Sequence, residues 1–314
     1  MKTEDVCVLI PALNEEASIG KVVKSYRELG FNNILVVDGH STDKTVEKAR
    51  SAGARVVEQP ASGKGDAIIY GLSMVDTPYV VMVDGDGTYD AKDISKLLRL
   101  LEEGYDHVIG NRLVLFDKKA FTRLNFFGNL ILNRLFSMIY GKYLYDVLSG
   151  YRAFKTSSIK ALQLGKEGFE IEAEMSVESI KKGQKIGAVP VRYYPREMSK
   201  TKLNPFVDGL KIGLTIYKLA LGHNPLFYFG IMGLVLTLLG TGLGVYIVLE
   251  WFKGIEHVPM TILSVALVLT GLQIVIFGVL ANLIVGLNRE LLNALSELRE
   301  TTKGRDEDED SGMG

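Results

Sequence analysis

The sequence predicts an α/β domain built on a parallel sheet, followed by a two-helix membrane hairpin, and three observations carry that prediction. Up to about Asn204, short β-branched runs alternate with helix-like segments, the pattern of repeated βαβ units. Residues 226–249 and 261–287 are two apolar runs without a charged side chain, and each exceeds the roughly 20 residues needed to cross a bilayer core. Acidic residues gather just after the predicted strands, where such sheets bind their ligands.

In chain order, predicted strands fall at residues 6–11, 34–37, 54–57 and 79–83. They are followed by Asn14-Glu15-Glu16, Asp38-Gly39-His40, Gln59-Pro60 and Asp84-Gly85-Asp86. Neither GxGxxG nor GxxxxGK[ST] is present, and "GKGDAI" from Gly63 fails both patterns. Phosphates would be repelled by acidic strand ends unless a cation intervenes, and Mg²⁺ or Mn²⁺ shared between carboxylates and phosphates resolves the conflict. The stretch "MVDGDGTYD", Met82 to Asp90, supplies two such carboxylates, with Gly85 and Gly87 allowing a tight turn. The bland alternative for "DGHSTD" is a turn, with Ser41 or Thr42 capping the next helix.

Charge separates the chain into expected parts. The formal net charge of −1 gives no reason to expect a nucleic-acid partner. The single cysteine, Cys7, forms no internal disulfide and agrees with a reducing compartment. Lys200, Lys202, Lys211 and Lys218 precede the first apolar run, Arg289, Arg299, Lys303 and Arg305 follow the second, and Lys253 stands between them. The positive-inside rule then puts both termini and the large domain in the cytoplasm of a multi-pass protein of the cell membrane. No signal peptide is expected, because the polar start is followed by an apolar run too short for one.

The expected organisation is a domain over 1–204, a juxtamembrane amphipathic helix over 205–223, spans over 226–249 and 261–287, and a cytoplasmic helix with an acidic, disordered tail over 288–314. A first amphipathic segment falls at about 118–141, where Leu124, Phe127, Ile131, Leu135 and Met138 recur at helical spacing. Phe206, Leu210, Leu214, Tyr217 and Leu221 repeat the pattern. Both read as helices at a membrane interface, the alternative being packing against the core.

The segments "VLIPALNEE", "LVVDGHSTDKT", "SGKGDAI", "VDGDGTYD", "VIGNR", "LSGYRAF" and "VPVRYYPREMSK" occur in one order. That order resembles family 2 glycosyltransferases of the polyprenyl-phosphate sugar synthase type, in particular archaeal dolichyl-phosphate hexosyltransferases. The resemblance runs from about Val6 through the first span and implies a GT-A (Rossmann-like) nucleotide-sugar domain. It implies inverting, metal-dependent transfer of a hexose, with glucose or N-acetylglucosamine favoured, from a UDP-sugar to dolichyl or polyprenyl phosphate for N-glycosylation. The alternatives are a GDP-mannose-dependent mannose synthase and a non-catalytic nucleotide-sugar-binding scaffold; a homo-oligomer stays open. A processive polysaccharide synthase would carry QxxRW, whereas the only tryptophan is Trp251, between the spans.

By the same resemblance Asp38 contacts the uracil or ribose, with Pro11, Asn14 and Glu15 shaping that pocket. Asp84 lies near ribose and metal, Asp86 ligates the metal, and Lys64 meets phosphate. Arg112, Arg123 and Asn129 are the acceptor-phosphate candidates, since a guanidinium holds phosphate oxygens as a fork. Asp146, Ser149, Gly150 and Tyr151, with Arg152, close the sugar pocket, Asp146 acting as a sugar ligand or weak base. Glu172 takes a structural or sugar-binding role, and Arg196, Ser199 and Lys200 form a lid over the diphosphate. A phosphate monoester is already ionised at pH 7, its second pKa being about 6, so positioning outweighs base catalysis. The four histidines show no ligand spacing.

Overall fold

A computed structural model of the chain describes residues 1–117, 119–165, 171–196 and 225–311, with side chains described as far as residue 287 except that of Arg123. The chain divides into two compact units, Met1–Leu219 and Ala220–Gly314.

In the first unit, β1 (Val6–Ala12), β2 (Ile34–Asp38), β3 (Arg55–Glu58) and β4 (Tyr79–Met82) alternate with α1 (Ile19–Glu28), α2 (Thr45–Ser51) and α3 (Lys64–Ser73). After α4 (Ile94–Glu102) come β5 (His107–Phe116), α5 (Arg123–Tyr140), β6 (Arg152–Lys155), α6 (Thr156–Lys160), α7 (Ile171–Lys181) and β7 (Ile186–Tyr193). The sheet order is β3-β2-β1-β4-β6-β5-β7. The four strands read from sequence are mutually parallel, as expected. The rest of the sheet is not purely parallel: β6 runs antiparallel to both β4 and β5, while β5 and β7 are parallel. The reversal follows from the path of the chain, which leaves β5, forms α5 and returns into the gap beside β4.

Both faces of the sheet are covered, which is why its first strands are continuously apolar rather than alternating. Val6, Val8, Ile10, Val36 and Val81 pack with Ile19, Val23 and Tyr26 of α1 and Leu97 of α4 on one face. Cys7, Leu9, Leu35, Val37 and Met82 pack with Ile68 and Leu72 of α3 and Met175 of α7 on the other. Helix α3 comes close to the sheet because Gly71 has no side chain; a Cβ there would lie 2.5 Å from Leu9 Cδ1 and 2.9 Å from Val37 Cγ2.

Helix α5 is bounded by its own chemistry. The Thr122 hydroxyl accepts the Asn125 N–H at 3.1 Å, and Gly141 ends the helix in the left-handed region at φ 68°. Asn133, Phe136, Ile139 and Tyr140 are its buried residues, whereas Leu124, Phe127, Ile131 and Met138 are 50–66% exposed and Leu135 is half-buried. The apolar stripe expected from helical spacing therefore faces away from the domain core.

The second unit contains a helix over Pro225–Trp251 and another over Val258–Ser311. Their apolar stretches, Pro225–Trp251 and Val258–Leu287, contain 27 and 30 residues, enough to cross a membrane, with only 11% and 17% of their most apolar windows buried. A core helix of a water-soluble domain would be mostly covered. Small residues one heptad apart bring the two backbones together: a Cβ on Gly271 would lie 2.6 Å from the Gly233 carbonyl, and one on Gly240 2.9 Å from the Ser264 carbonyl. The Ser264 hydroxyl donates to the Gly240 carbonyl at 2.8 Å. The second helix runs on to Ser311, so the run Asp306–Asp310, expected as a disordered tail, is helical. No proline interrupts it after Pro259. The expected juxtamembrane helix at 205–223 lies outside the described residues.

Gly71→Ala should lower the thermal unfolding midpoint of the detergent-solubilised chain, an overpacking cost of about 1–3 kcal/mol. Gly128→Ala, in α5 with nothing within 4 Å of the place its methyl group would take, should be neutral or stabilising by up to about 1 kcal/mol. Equal midpoints for the two variants would show that α3 does not depend on this contact.

Candidate functional site

The carboxyl ends of β1, β2 and β4 converge, and loop chemistry ties them together. Asn14, at φ 50°, donates its N–H to Ser41 Oγ and accepts the Thr42 N–H on Oδ1, both at 2.8 Å. Asn tolerates this left-handed conformation better than most residues. Ser41 and Thr42, expected as helix caps, serve instead in this cross-loop clasp; α2 starts later, with Asp43 Oδ1 accepting the Thr45 N–H at 3.0 Å. Asp38 accepts the Ser41 N–H on Oδ2 at 2.9 Å, which is the turn role, but its Oδ1 is buried without a partner. Pro11 lies in β1 opposite Val37. Glu15 donates its N–H to Thr45 Oγ1 at 2.8 Å, and the Ser18 hydroxyl donates to the Gly85 carbonyl at 2.8 Å, joining the start of α1 to the loop after β4.

Beyond β4, carboxylates and cations interleave. Lys64 Nζ stands 2.6 Å from Asp84 Oδ1 and 2.6 Å from Glu172 Oε1. Burial pushes the Lys64 ammonium down, but the two carboxylates outweigh burial and raise it. Burial likewise pushes Asp84 up, and Lys64, with Arg112 and Arg196 further off, brings it below the usual carboxylate range. Asp86 is 6% exposed. Its Oδ1 accepts the Thr88 N–H and hydroxyl at 3.1 and 2.7 Å, and its Oδ2 accepts Arg196 Nε and Nη2 at 2.7 and 2.6 Å. Arg196 Nη2 also lies 3.8 Å from Glu15 Oε1. Gly150 makes room beside this group, since a Cβ on it would sit 2.5 Å from Asp84 Oδ2.

Arg112 and Asp146 form a buried fork-to-fork pair. Nε and Nη2 donate to Oδ2 and Oδ1 at 2.8 Å each, and the Arg112 backbone N–H adds a third bond to Oδ2 at 3.0 Å. The guanidinium carbon lies 5.4 Å from the Tyr193 ring centre and 5.8 Å from that of Phe121. Asp146, expected as a base or sugar ligand, is 0% exposed and has both of its oxygens engaged by Arg112. Tyr151 and Ser149, expected at the sugar pocket, are buried as well. Tyr151 is fully buried in the core cluster with Tyr26, and Ser149, fully buried, accepts the Tyr151 N–H on Oγ at 3.3 Å.

Arg152 is also buried behind the site rather than lining it. Its Nε donates to the Ser149 carbonyl at 2.8 Å and its Nη2 to the Val147 carbonyl at 2.5 Å. Its Nη1 meets Ser176 Oγ at 2.9 Å and His107 Nε2 at 3.0 Å. Burial pushes Arg152 down to about 10. Burial first, then the Arg152 charge, hold His107 well below the usual imidazole range, so neutral His107 accepts from Arg152 and donates from Nδ1 to Ser179 Oγ at 3.0 Å. The loop carrying Asp146 and Gly150 is thus pinned from beneath. His107, Tyr89, Phe121 and Tyr193 do not stand out from sequence. Tyr193 lies in "RYYP", where the charged residues draw attention, and Tyr89 accepts the Gly150 N–H at 3.0 Å on its hydroxyl.

Among the acceptor candidates, Asn129 donates from Nδ2 to the Asn125 carbonyl at 2.8 Å and keeps Oδ1 buried without a partner. Arg123 opens α5. Ser199 and Lys200 lie outside the described residues.

The fit for a divalent ion is that of a shared site. Among the described residues no three or more His, Cys, Asp or Glu side chains gather into a complete cage. Asp84 and Asp86 are hard oxygen donors; Asp84 Oδ2 faces Gly150, whereas both Asp86 oxygens are taken by Thr88 and Arg196, so an ion held by Asp86 would displace Arg196. One or two carboxylates completed by phosphate oxygens is the arrangement Mg²⁺ and Mn²⁺ accept.

Fold and site together define a GT-A glycosyltransferase domain. A family model described as Glycosyl transferase family 2 matches residues 7–163, and the chain belongs to that family. Among its relatives, Glycosyltransferase AglJ of Haloferax volcanii is 48% identical over 95% of this chain and 100% of that protein. A Dolichyl-phosphate hexose transferase of the same organism is 35% identical over 69% of this chain and 95% of its own length. The fold is shared with glucosyl-3-phosphoglycerate synthase from Mycobacterium tuberculosis, solved with Mn²⁺, uridine diphosphate and phosphoglyceric acid: TM-score 0.57, 23% identity, 68% of this chain and 78% of that one.

Gly150→Ala should lower the unfolding midpoint, since the added methyl would meet the Asp84 carboxylate at 2.5 Å, and should weaken donor binding about 10- to 150-fold, the worth of a displaced charged hydrogen-bonding group; unchanged donor affinity by calorimetry would sink the assignment of that space. For His107 the folded value is depressed, so the unfolded chain takes up its proton near pH 6.5 while the folded chain does not. Stability therefore falls as pH drops below about 6.5, by at most about 1.4 kcal/mol per pH unit. His107→Gln should flatten that slope, measured as unfolding midpoints between pH 7.5 and 5.5, and parallel slopes would refute the assignment.

Proposed function

We propose that this glycosyltransferase moves a hexose, glucose or N-acetylglucosamine, from a UDP-sugar to dolichyl phosphate or a related polyprenyl phosphate with inversion, supplying lipid-linked sugar for N-glycosylation. The observation that carries the lipid half is the exposed apolar stripe of α5, in a chain that also has two helices long enough to span a membrane. The donor half rests on the strand-end carboxylates, and on a structural neighbour whose complex contains Mn²⁺ and uridine diphosphate. The name of the Haloferax hexose transferase supports the lipid acceptor. Charge flanking the spans supports a cytoplasmic domain and termini.

In this reading an acceptor phosphate oxygen attacks the anomeric carbon, a new carbon–oxygen bond forms, and the bond to the β-phosphate oxygen breaks, releasing UDP. The acceptor needs no strong base because it arrives ionised. Asp146 is a positioning residue that fixes the planar guanidinium of Arg112, which, with Arg123 and Asn129, orients the acceptor phosphate. Asp38, Asn14, Glu15 and Pro11 bound the nucleoside side. Lys64 and Arg196 supply positive charge beside the diphosphate, with Lys200 in the same late segment. Asp86, with Asp84, would hold Mg²⁺ or Mn²⁺, which supplies neutralisation of the charge growing on the leaving diphosphate. Gly150 keeps that space open, and Glu172 holds Lys64 in it.

Membranes containing the chain, assayed with UDP-glucose, UDP-N-acetylglucosamine and GDP-mannose against dolichyl and undecaprenyl phosphate, test the reading. Transfer should require a UDP-sugar, stop with EDTA and vanish in Asp86→Ala without loss of fold. Arg112→Ala should raise the acceptor KM about 10- to 150-fold. Asp146→Asn should shift acceptor KM in the same direction and leave the pH profile of kcat unmoved. Transfer from GDP-mannose alone would replace the donor, and donor binding without any turnover would make the protein a scaffold.

A further inference from the structure

We propose that Gln59 recognises the base of the donor nucleotide, its Oε1 accepting the ring N–H that uracil and guanine carry. The inference rests on the nucleotide-sugar reading above and adds the residue that selects the nucleotide.

Gln59 follows β3 directly, and its backbone N–H donates to the Asp38 carbonyl at 3.0 Å. That bond fixes it against the end of β2, in the row of strand ends where ligands of such sheets bind. The residue is 2% exposed, as is Asp38. Among the described residues at these strand ends, Gln59 Oε1 and Asp38 Oδ1 are the two side-chain oxygens buried without a donor. The Gln59 amide lies beside Gly39, where a Cβ would meet Nε2 at 3.6 Å and Leu13 Cβ at 3.4 Å, so amide, glycine and the loop after β1 form one wall.

A buried acceptor lacking a donor is unfavourable, and most such groups in folded proteins are satisfied. Two of them, on neighbouring strand ends at the nucleoside side of the crevice, match a ligand that brings its own N–H and O–H groups. A nucleoside does so, with ribose hydroxyls for the carboxyl oxygen of Asp38 and a ring N–H for the amide of Gln59. Uracil and guanine have that ring N–H beside a carbonyl, which the amide Nε2 can meet. In cytosine and adenine the corresponding ring nitrogen is a bare acceptor and would face Oε1 with a second lone pair. A site built to hydrogen-bond one group rejects the analogue that lacks it more strongly than shape alone would.

The test compares the detergent-solubilised full chain with Gln59→Met, which keeps length and removes both polar ends. Binding of UDP, GDP, CDP, ADP and inorganic pyrophosphate is measured by calorimetry with Mn²⁺ present, alongside the unfolding midpoint without ligand. Wild type should prefer UDP or GDP over CDP and ADP. Gln59→Met should bind the preferred nucleotide about 2- to 13-fold more weakly, the worth of one neutral hydrogen bond. Its preference over CDP should shrink, its pyrophosphate affinity should be unchanged, and its midpoint should be equal or higher, because an unsatisfied acceptor has gone. A role for Gln59 in holding the fold predicts a lower midpoint and an equal loss for pyrophosphate, and either result overturns the proposal. So does a variant that keeps the wild-type base preference. If wild type itself binds none of the four nucleotides, the donor reading fails and this inference with it.

Discussion

Four carboxylates crowd one end of the sheet, and the structure there depends on two cations of the same chain being threaded among them. Lys64 bridges Asp84 and Glu172, and Arg196 bridges Asp86 and Glu15. Like charges at this spacing, partly shielded from water, would otherwise drive one another to take up protons or separate. The constraint reaches into secondary structure. Lys64 is the first residue of α3, where the helix dipole disfavours a cation, and its two carboxylate partners offset that penalty. Glu172 lies in the first turn of α7, where the dipole favours an anion. One ammonium thus connects the start of two helices to the tip of β4.

The fold of the first half was legible because burial on both faces writes itself directly into strands such as "VCVLI" and "ILVV". The second half was less so. Strand β6, Arg152–Lys155, is four residues long with a cation at each end. Nothing in that composition announces a central strand. Its arginine is paired with the Val147 and Ser149 carbonyls just before it, with the Ser176 hydroxyl of α7 and with a neutral histidine of β5, so its tolerance in the core depends in part on residues distant in sequence.

Aspartate and glycine after the strands drew notice because such sheets bind ligands there, although the same residues also build turns, as Asp38 does toward Ser41. What sequence did not convey was which groups already satisfy one another. Asp146 reads in sequence as available for a sugar or a proton, and its engagement with Arg112 depends on a loop that returns beside β5. Tyr151 and Ser149 belong to a motif that looks like one unit, whereas packing separates its members, Tyr151 lying in the core cluster and Gly150 against Asp84. Helix α5 shows the converse. Its apolar spacing was clear, and only packing revealed that the covered face is the one with Asn133 and Phe136.

The reversal of β6 has a consequence for how such a chain can diverge. Because β6 runs against its neighbours, its beginning, not its end, lies at the crowded edge of the sheet, and the segment between β5 and β6 delivers Asp146 and Gly150 there as a detachable loop-and-helix insert. The register of β1 to β4 is set without it. Changing the length of that insert would leave the pairing of the first four strands intact but would move Asp146 and Gly150, so the two halves of the cleft are set by separate stretches of chain.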